Sequence, residues 1–147
     1  MSGPCIVVGT AKGFLQEFEE AQTLLGNAPV FCVNRAAEVI DGNFWVTVHP
    51  EVFFHAESDM IKISDRVSDE VDVAFPIATQ GGSSSLLAVL VALVMGSSLV
   101  VTAGVHLDGK YKPFQGRWRH YKSQIGDRIR SMSAAQTYIS KEWGIYG

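Results

Sequence analysis

The sequence predicts an α/β fold, a three-layer sandwich of Rossmann-like type built on a mostly parallel sheet. Three observations lead there. Cys5-Ile6-Val7-Val8-Gly9 is a short apolar run ending in glycine; after a small loop and a helix-spaced stretch comes a second run, Val30-Phe31-Cys32-Val33. That is the pattern of a βαβ unit, whose crossover is right-handed. The apolar runs alternate only weakly with polar residues, as expected of strands covered on both faces. The long apolar tract from Leu86 to Val105 also changes character at Gly96-Ser97-Ser98. Leu and Ala before the break suit a helix, whereas Leu99-Val100-Val101-Thr102-Ala103 suits a buried strand.

The elements follow in order. Pro4 to Gly9 form the first strand, and Gly9-Thr10-Ala11-Lys12-Gly13 is a glycine-bounded loop. A helix from about Phe14 to Leu25 places Phe14, Leu15, Phe18, Ala21, Leu24 and Leu25 at helical spacing, and Gly26-Asn27 closes it. Val30 to Val33 is the second strand. Ala36 to Ile40 make a short helix and Asp41-Gly42-Asn43 a turn. Phe44 to Val48 is the third strand, ending at His49-Pro50, and Pro50 to Phe54 start another short helix. Met60 to Ser64 and Val71 to Phe75 are weaker strand candidates among acidic residues.

A Gly81-Gly82 loop then enters a buried helix capped by Ser83 or Ser84, with Gly96 as its C′ residue. A membrane span needs about 20 apolar residues, and the Gly-Ser-Ser break argues against one here. Leu99 to Ala103 is a core strand. Lys110 to Gly116 reads as a mobile basic, aromatic loop, and Arg117 to Ile125 as a helix with Trp118, Tyr121 and Ile125 on one face. Gly126-Asp127 breaks it. Arg128 to Met132 is a late strand with Ile129 and Met132 in the core, and Ser133 caps a last helix from Ala134 to Trp143. One continuous helix from Arg117 to Trp143 is the alternative that the apolar spacing also allows.

Composition bounds the function. A chain of 147 residues is long enough for one domain, 1–147, with a real core. With 47% hydrophobic against 18% charged residues it is globular rather than disordered. A net charge of −3 argues against non-specific nucleic-acid binding. The charge is uneven, however: eight of the twelve Lys and Arg lie from Lys110 onward, against only Asp127 and Glu142 among acids, which suits an anionic ligand. Met1-Ser2-Gly3-Pro4 has neither the charge nor the apolar region of a signal peptide. Cys5 and Cys32, in apolar runs, read as buried, reduced thiols of a cytoplasmic protein, not nucleophiles.

Ligands of such sheets bind at the carboxyl ends of the strands. Those ends carry the Gly9 to Gly13 loop, Asn34-Arg35, His49 and Gly104 to His106. Gly82-Ser83-Ser84-Ser85 opens a helix, where free N–H groups and the dipole favour an anion. His49 and His106 have the near-neutral chemistry of phosphate ligands or acid–base groups. Lys12 is placed to pair with a phosphate, without the spacing of a P-loop lysine. His120, among Arg117, Arg119 and Lys122, reads as a solvated helix face. The aspartates show no metal-ligand spacing with His, and no Gly-x-Ser-x-Gly nucleophile elbow occurs.

Taken together and in order, Cys5 to Gly9, Phe31-Cys32-Val33-Asn34-Arg35, Trp45-Val46-Thr47-Val48-His49-Pro50, Gly82 to Ser85 and Val101-Thr102-Ala103-Gly104-Val105 resemble a Rossmann-like superfamily. It includes the Campylobacter-type bacterial sialyltransferases and the MptE-like archaeal pterin pyrophosphokinases. Asp127 to Ser133 is similar to a late strand of short bacteriophage proteins in the same group. In the sialyltransferases the matching loops hold a cytidine nucleotide sugar, which implies contacts from Gly9, Thr10, Ala11, Lys12, Asn34, His49, Gly82, Ser83 and Ser84. His49 stands where those enzymes place Asn, and the first loop lacks their Asn-Gly-Pro-Ser character.

The expected function is therefore binding of a nucleotide or nucleotide-linked small molecule by a phage-type protein in the host cytoplasm, with a transferase reaction implied by the resemblance alone. The full expected set is Gly9, Thr10, Ala11, Lys12, Asn34, Arg35, His49, Gly82, Ser83, Ser84, Ser85, Gly104 and His106. No catalytic residue is assigned, no cofactor or metal is required, and neither membrane nor nucleic acid is a partner. A homo-oligomer is expected, with the helices holding Trp118 or Trp143 buried between copies. The alternative is a protein that captures a nucleotide, or assembles with a partner, without catalysis.

Overall fold

A computed structural model describes residues 1–77 and 83–132. Its seven strands form one wholly parallel sheet in the order β5-β4-β3-β2-β1-β6-β7. They are β1 (Pro4–Val8), β2 (Val30–Val33), β3 (Phe44–Val46), β4 (Ile61–Ser64), β5 (Val73–Ala74), β6 (Leu99–Ala103) and β7 (Ile129–Ser131). The α/β sandwich expected from the sequence is the fold observed, and the four strongest predicted strands are adjacent in it.

Alternation of side chains along each strand divides the core into two halves. Cys5, Val7, Phe31, Val33, Val46 and Val100 face one way, onto α2 (Ser84–Val94) with Trp118 and Ile125. Ile6, Val8, Val30, Cys32, Trp45 and Val101 face the other way, onto Phe18 and Ala21 of α1 (Phe14–Leu25). The second face is completed by two 3-10 turns, Asn34–Glu38 and Pro50–Phe53, through Ala36 and Phe53. Every residue of α2 from Ser84 to Ala92 is buried, so no stretch of that helix offers a polar face to water. Each Leu or Val there contributes about 1.5–3 kcal/mol on burial, which makes α2 the centre of the fold.

The chain walks outward from β1 to β5 and then crosses back past β1 to β6 and β7. Connections leading in opposite directions lie on opposite faces, as a single crossover hand requires. The reversal falls between β1 and β6, and a crevice opens between connections that depart to opposite faces.

Several elements differ from the sequence expectation. The third strand stops at Val46 because Thr47 turns the chain: its Oγ1 accepts a hydrogen bond from His49 N at 3.0 Å. The outer strands are shorter than expected, β5 being two residues. Ser83, not Ser84, is the N-cap of α2, its Oγ accepting from Leu86 N. The predicted loop from Lys110 is ordered as a 3-10 helix, Gly109–Phe114, held where Gln115 Nε2 donates to Leu107 O at 2.8 Å. The helix expected from Arg117 to Ile125 is two short ones, α3 (Gln115–His120) and α4 (Lys122–Ile125), separated at Tyr121. The continuous helix from Arg117 to Trp143 is ruled out by β7, which pairs with β6. The predicted helix Ala134 to Trp143 lies outside the described residues. Trp118 is fully buried in the chain's own core, while Trp143 lies outside the described residues. Among the described residues no helix is long and apolar enough to cross a membrane.

Candidate functional site

The carboxyl ends of β1 and β6 are two glycine turns pressed together. Gly9 N donates to Ala103 O at 2.8 Å, and Ala11 N to Gly104 O at 3.0 Å. A Cβ on Gly104 would lie 2.5 Å from Gly9 O and 2.4 Å from Phe14 Cβ, and one on Gly9 would lie 2.7 Å from Gly104 O. These glycines are thus required first by the approach of one backbone to another, where the sequence suggested only a turn after the strand and a ligand contact.

Beyond them opens a cleft of about 350 Å³, within the size range of small-molecule sites. From the β1 turn, Gly9, Thr10 and Ala11 line it; from the β6 turn, Gly104 and His106. Asn34 follows β2, His49 follows β3, and Ser83, Ser84 and Ser85 open α2 on its wall. Two expected residues are elsewhere. Lys12 is exposed at the bend into α1, and Arg35 turns along its own 3-10 helix to Glu38 at 2.9 Å, its side chain 78% exposed. Gly82 lies outside the described residues. Val105, within the expected Gly104 to His106 turn, also lines it; Val33, Val48, Leu107, Asp108, Tyr111 and Phe114 complete the cleft and were not anticipated. The last two belong to the 3-10 helix that the sequence suggested was a mobile loop. A larger hollow, about 760 Å³, includes residues leading into β3 and β4 and is edged by Glu38, Asp41, Glu57 and Asp59. That acidic edge repels an anion, so the cleft at the strand ends is the better candidate.

Asn34 is fixed by two neighbours. It adopts φ 50°, a left-handed conformation that Asn tolerates better than most residues. Trp45 Nε1 donates to its backbone O at 2.7 Å, and Thr47 Oγ1 donates to Oδ1 at 2.7 Å. Thr47 is the donor there, because an amide oxygen can only accept, and the Thr47 oxygen also accepts from His49 N. Asn34 Oδ1 is therefore an acceptor in use, and its amide NH₂ is the end left to offer a ligand.

Ser84 has a structural duty. It is buried, and its Oγ accepts from Val48 N at 3.0 Å, tying the end of β3 to the start of α2. Ser84→Ala leaves that N–H without its acceptor and should cost about 1–3 kcal/mol, read as a lower urea midpoint at unchanged slope. An undiminished midpoint would mean that water replaces the hydroxyl. Ser83 and Ser85 pair through their hydroxyls at 2.7 Å and stand beside the N–H groups of the first helical turn.

Glu17 is a further residue that sequence reasoning missed. From the first turn of α1 it reaches across to the β6 turn, where Oε1 accepts from Gly104 N at 3.0 Å and Oε2 meets His106 Nε2 at 2.9 Å. Both side chains are largely covered, 15% and 10% exposed. The hydrogen bond to Glu17 raises the His106 pKa above the ordinary histidine value, against the opposing effect of burial. No sequence signal separates Glu17 from any acid favoured in the first turn of a helix. Cys5 and Cys32 are free and buried, and burial pushes their thiols up to about 11 and about 12, far from nucleophilic reactivity at neutral pH. His120 is exposed, edge-on to Tyr121, as a solvated helix face requires.

Comparison of the chain with family models, curated proteins and solved structures finds no match.

Proposed function

We propose that the protein binds a nucleotide or nucleotide-linked small molecule in the cleft at the β1/β6 reversal. One observation carries this reading: five segments far apart in sequence, the turns after β1, β2, β3 and β6 and the start of α2, meet at a single cleft there. Such a crevice is where parallel α/β sheets bind their ligands. The chemistry of the wall divides in two. Ser83, Ser85 and the N-terminus of α2 suit a phosphate, while Val33, Val48, Leu107, Tyr111 and Phe114 offer apolar surface for a flat ring. The order of motifs resembling the nucleotide-sugar-binding enzymes points to the same segments.

Calorimetry with a panel of nucleotides and nucleotide sugars tests the reading, and failure of every member to bind would end it. Analysis of the same mixtures for products then separates a transferase from a capture protein. Asn34→Asp keeps the Oδ acceptor for Thr47 and the tolerance for positive φ, but replaces two N–H donors with a charge. Unfolding should change little, while affinity for the best nucleotide should fall about tenfold or more, or about 1.4 kcal/mol. Unchanged affinity would remove Asn34 from the site.

A further inference from the structure

We propose that Glu17 and His106 make this cleft a proton-linked anion site, in which Nδ1–H of the His106 imidazolium donates to a single phosphate ester group of the bound ligand. The identity of that ligand rests on the nucleotide reading above; the anion site does not.

The tautomer follows from the geometry. Glu17 as a carboxylate only accepts hydrogen bonds, and its two oxygens take Gly104 N and His106 Nε2. Nε2 therefore carries a proton whether the ring is neutral or charged, and the titrating proton belongs to Nδ1. Among the described residues Nδ1 has no partner, and His106 lines the cleft. Neutral His106 leaves Nδ1 as a lone pair, which opposes a phosphate oxygen. Protonated His106 turns the same atom into a charged donor, the stronger kind of hydrogen bond.

The surroundings decide how much anionic charge the cleft accepts. No Lys or Arg lines it among the described residues, and Asp108 adds a carboxylate. The titratable groups facing His106 or sharing its cleft are Glu17 from α1, Asp108 from its own loop, His49 after β3 and Tyr111 from the 3-10 helix. Glu17 and Asp108 both favour the imidazolium form. One imidazolium and a helix N-terminus match one phosphate, and a triphosphate would leave charges without partners. The sign is fixed by the donor: anion affinity is full below the folded pKa of His106 and is lost as pH rises through it.

Sulfate is a suitable probe because its own charge is constant across the histidine range. NMR titration, following the His106 ring nitrogens, should show affinity flat at low pH and then falling about tenfold per pH unit. The Nδ1 resonance of the parent should respond to sulfate below that break and not above it, a result that needs no variant. Glu17→Gln should move the break to lower pH, His106→Asn should abolish it, and His49→Gln should retain it. A nucleoside monophosphate should bind more tightly than its triphosphate. Sulfate affinity without a break, no sulfate binding at any pH, a break that persists in His106→Asn, or a triphosphate preferred over its monophosphate would overturn the proposal. Sulfate binding with the break, but no nucleotide binding, keeps the anion site and removes the nucleotide reading. Nucleotide binding independent of pH does the reverse.

Discussion

Gly104→Ala should destabilise the protein by about 2–5 kcal/mol, a large share of the 5–15 kcal/mol typical of a domain. Two effects add. Gly104 has φ 66°, and a left-handed conformation costs a residue with a Cβ roughly 1–2 kcal/mol. The new methyl would also lie 2.5 Å from Gly9 O and 2.4 Å from Phe14 Cβ. Neither is the far end of a flexible side chain, so the two turns must separate, at roughly the 1–3 kcal/mol of an overpacked core. Gly13→Ala separates the two effects. Gly13 is left-handed, with φ 86° and ψ 10°, and an added methyl would come no nearer than 3.9 Å to an atom beyond its chain neighbours, so it should lose only the conformational part. Urea unfolding of both variants measures the difference. Equal losses would show that crowding between the β1 and β6 turns contributes nothing. Because Glu17 also takes Gly104 N, a separated turn should loosen the His106 contact as well.

How legible the fold was in the sequence depended on how local its cause is. The run Cys5 to Val8 is apolar on successive residues because both faces are covered, and its neighbours Ile6 and Val7 point into different halves of the core. That signature survives in the sequence without knowledge of partners. The Gly96-Ser97-Ser98 break ends α2 through local backbone preference, and it separated helix from strand correctly. The short elements were less legible because distant groups set their limits. β3 ends where Thr47 bonds to Asn34 and His49, and the 3-10 helix at Gly109 is held by Gln115. The cleft followed the same rule. Glycines, Asn34 and the histidines at strand ends could be placed on one edge by topology alone. Glu17 could not, since its partners lie 87 and 89 residues away. Lys12 and Arg35 misled because charge suggests an anion, while their side chains are free to turn to solvent or to a neighbour such as Glu38.

Ser83→Asp should weaken binding of a phosphorylated ligand roughly ten- to a hundredfold and leave the fold intact. Ser83 is the N-cap of α2, extended at φ −130° and ψ 168°, with Oγ accepting from Leu86 N at 3.3 Å. Asp caps helices about as well as Ser, and the neighbouring Ser85 hydroxyl, 2.7 Å from Ser83 Oγ, can donate to the new carboxylate. Stability should therefore change by less than about 1 kcal/mol. The charge acts on the ligand instead. Two unit charges about 5 Å apart repel by about 3 kcal/mol at an effective dielectric near 20, and solvent in an open cleft reduces this to the expected range. Ser83→Asn is the neutral counterpart, since it caps equally well and adds no charge, and its affinity should stay within a few-fold of the parent. Calorimetry with the tightest nucleotide compares the three proteins. If Asp and Asn weaken binding alike, the hydroxyl contact matters and the charge does not. If neither weakens it, the phosphate does not sit at the start of α2, and the ligand's charged end must be sought nearer His106.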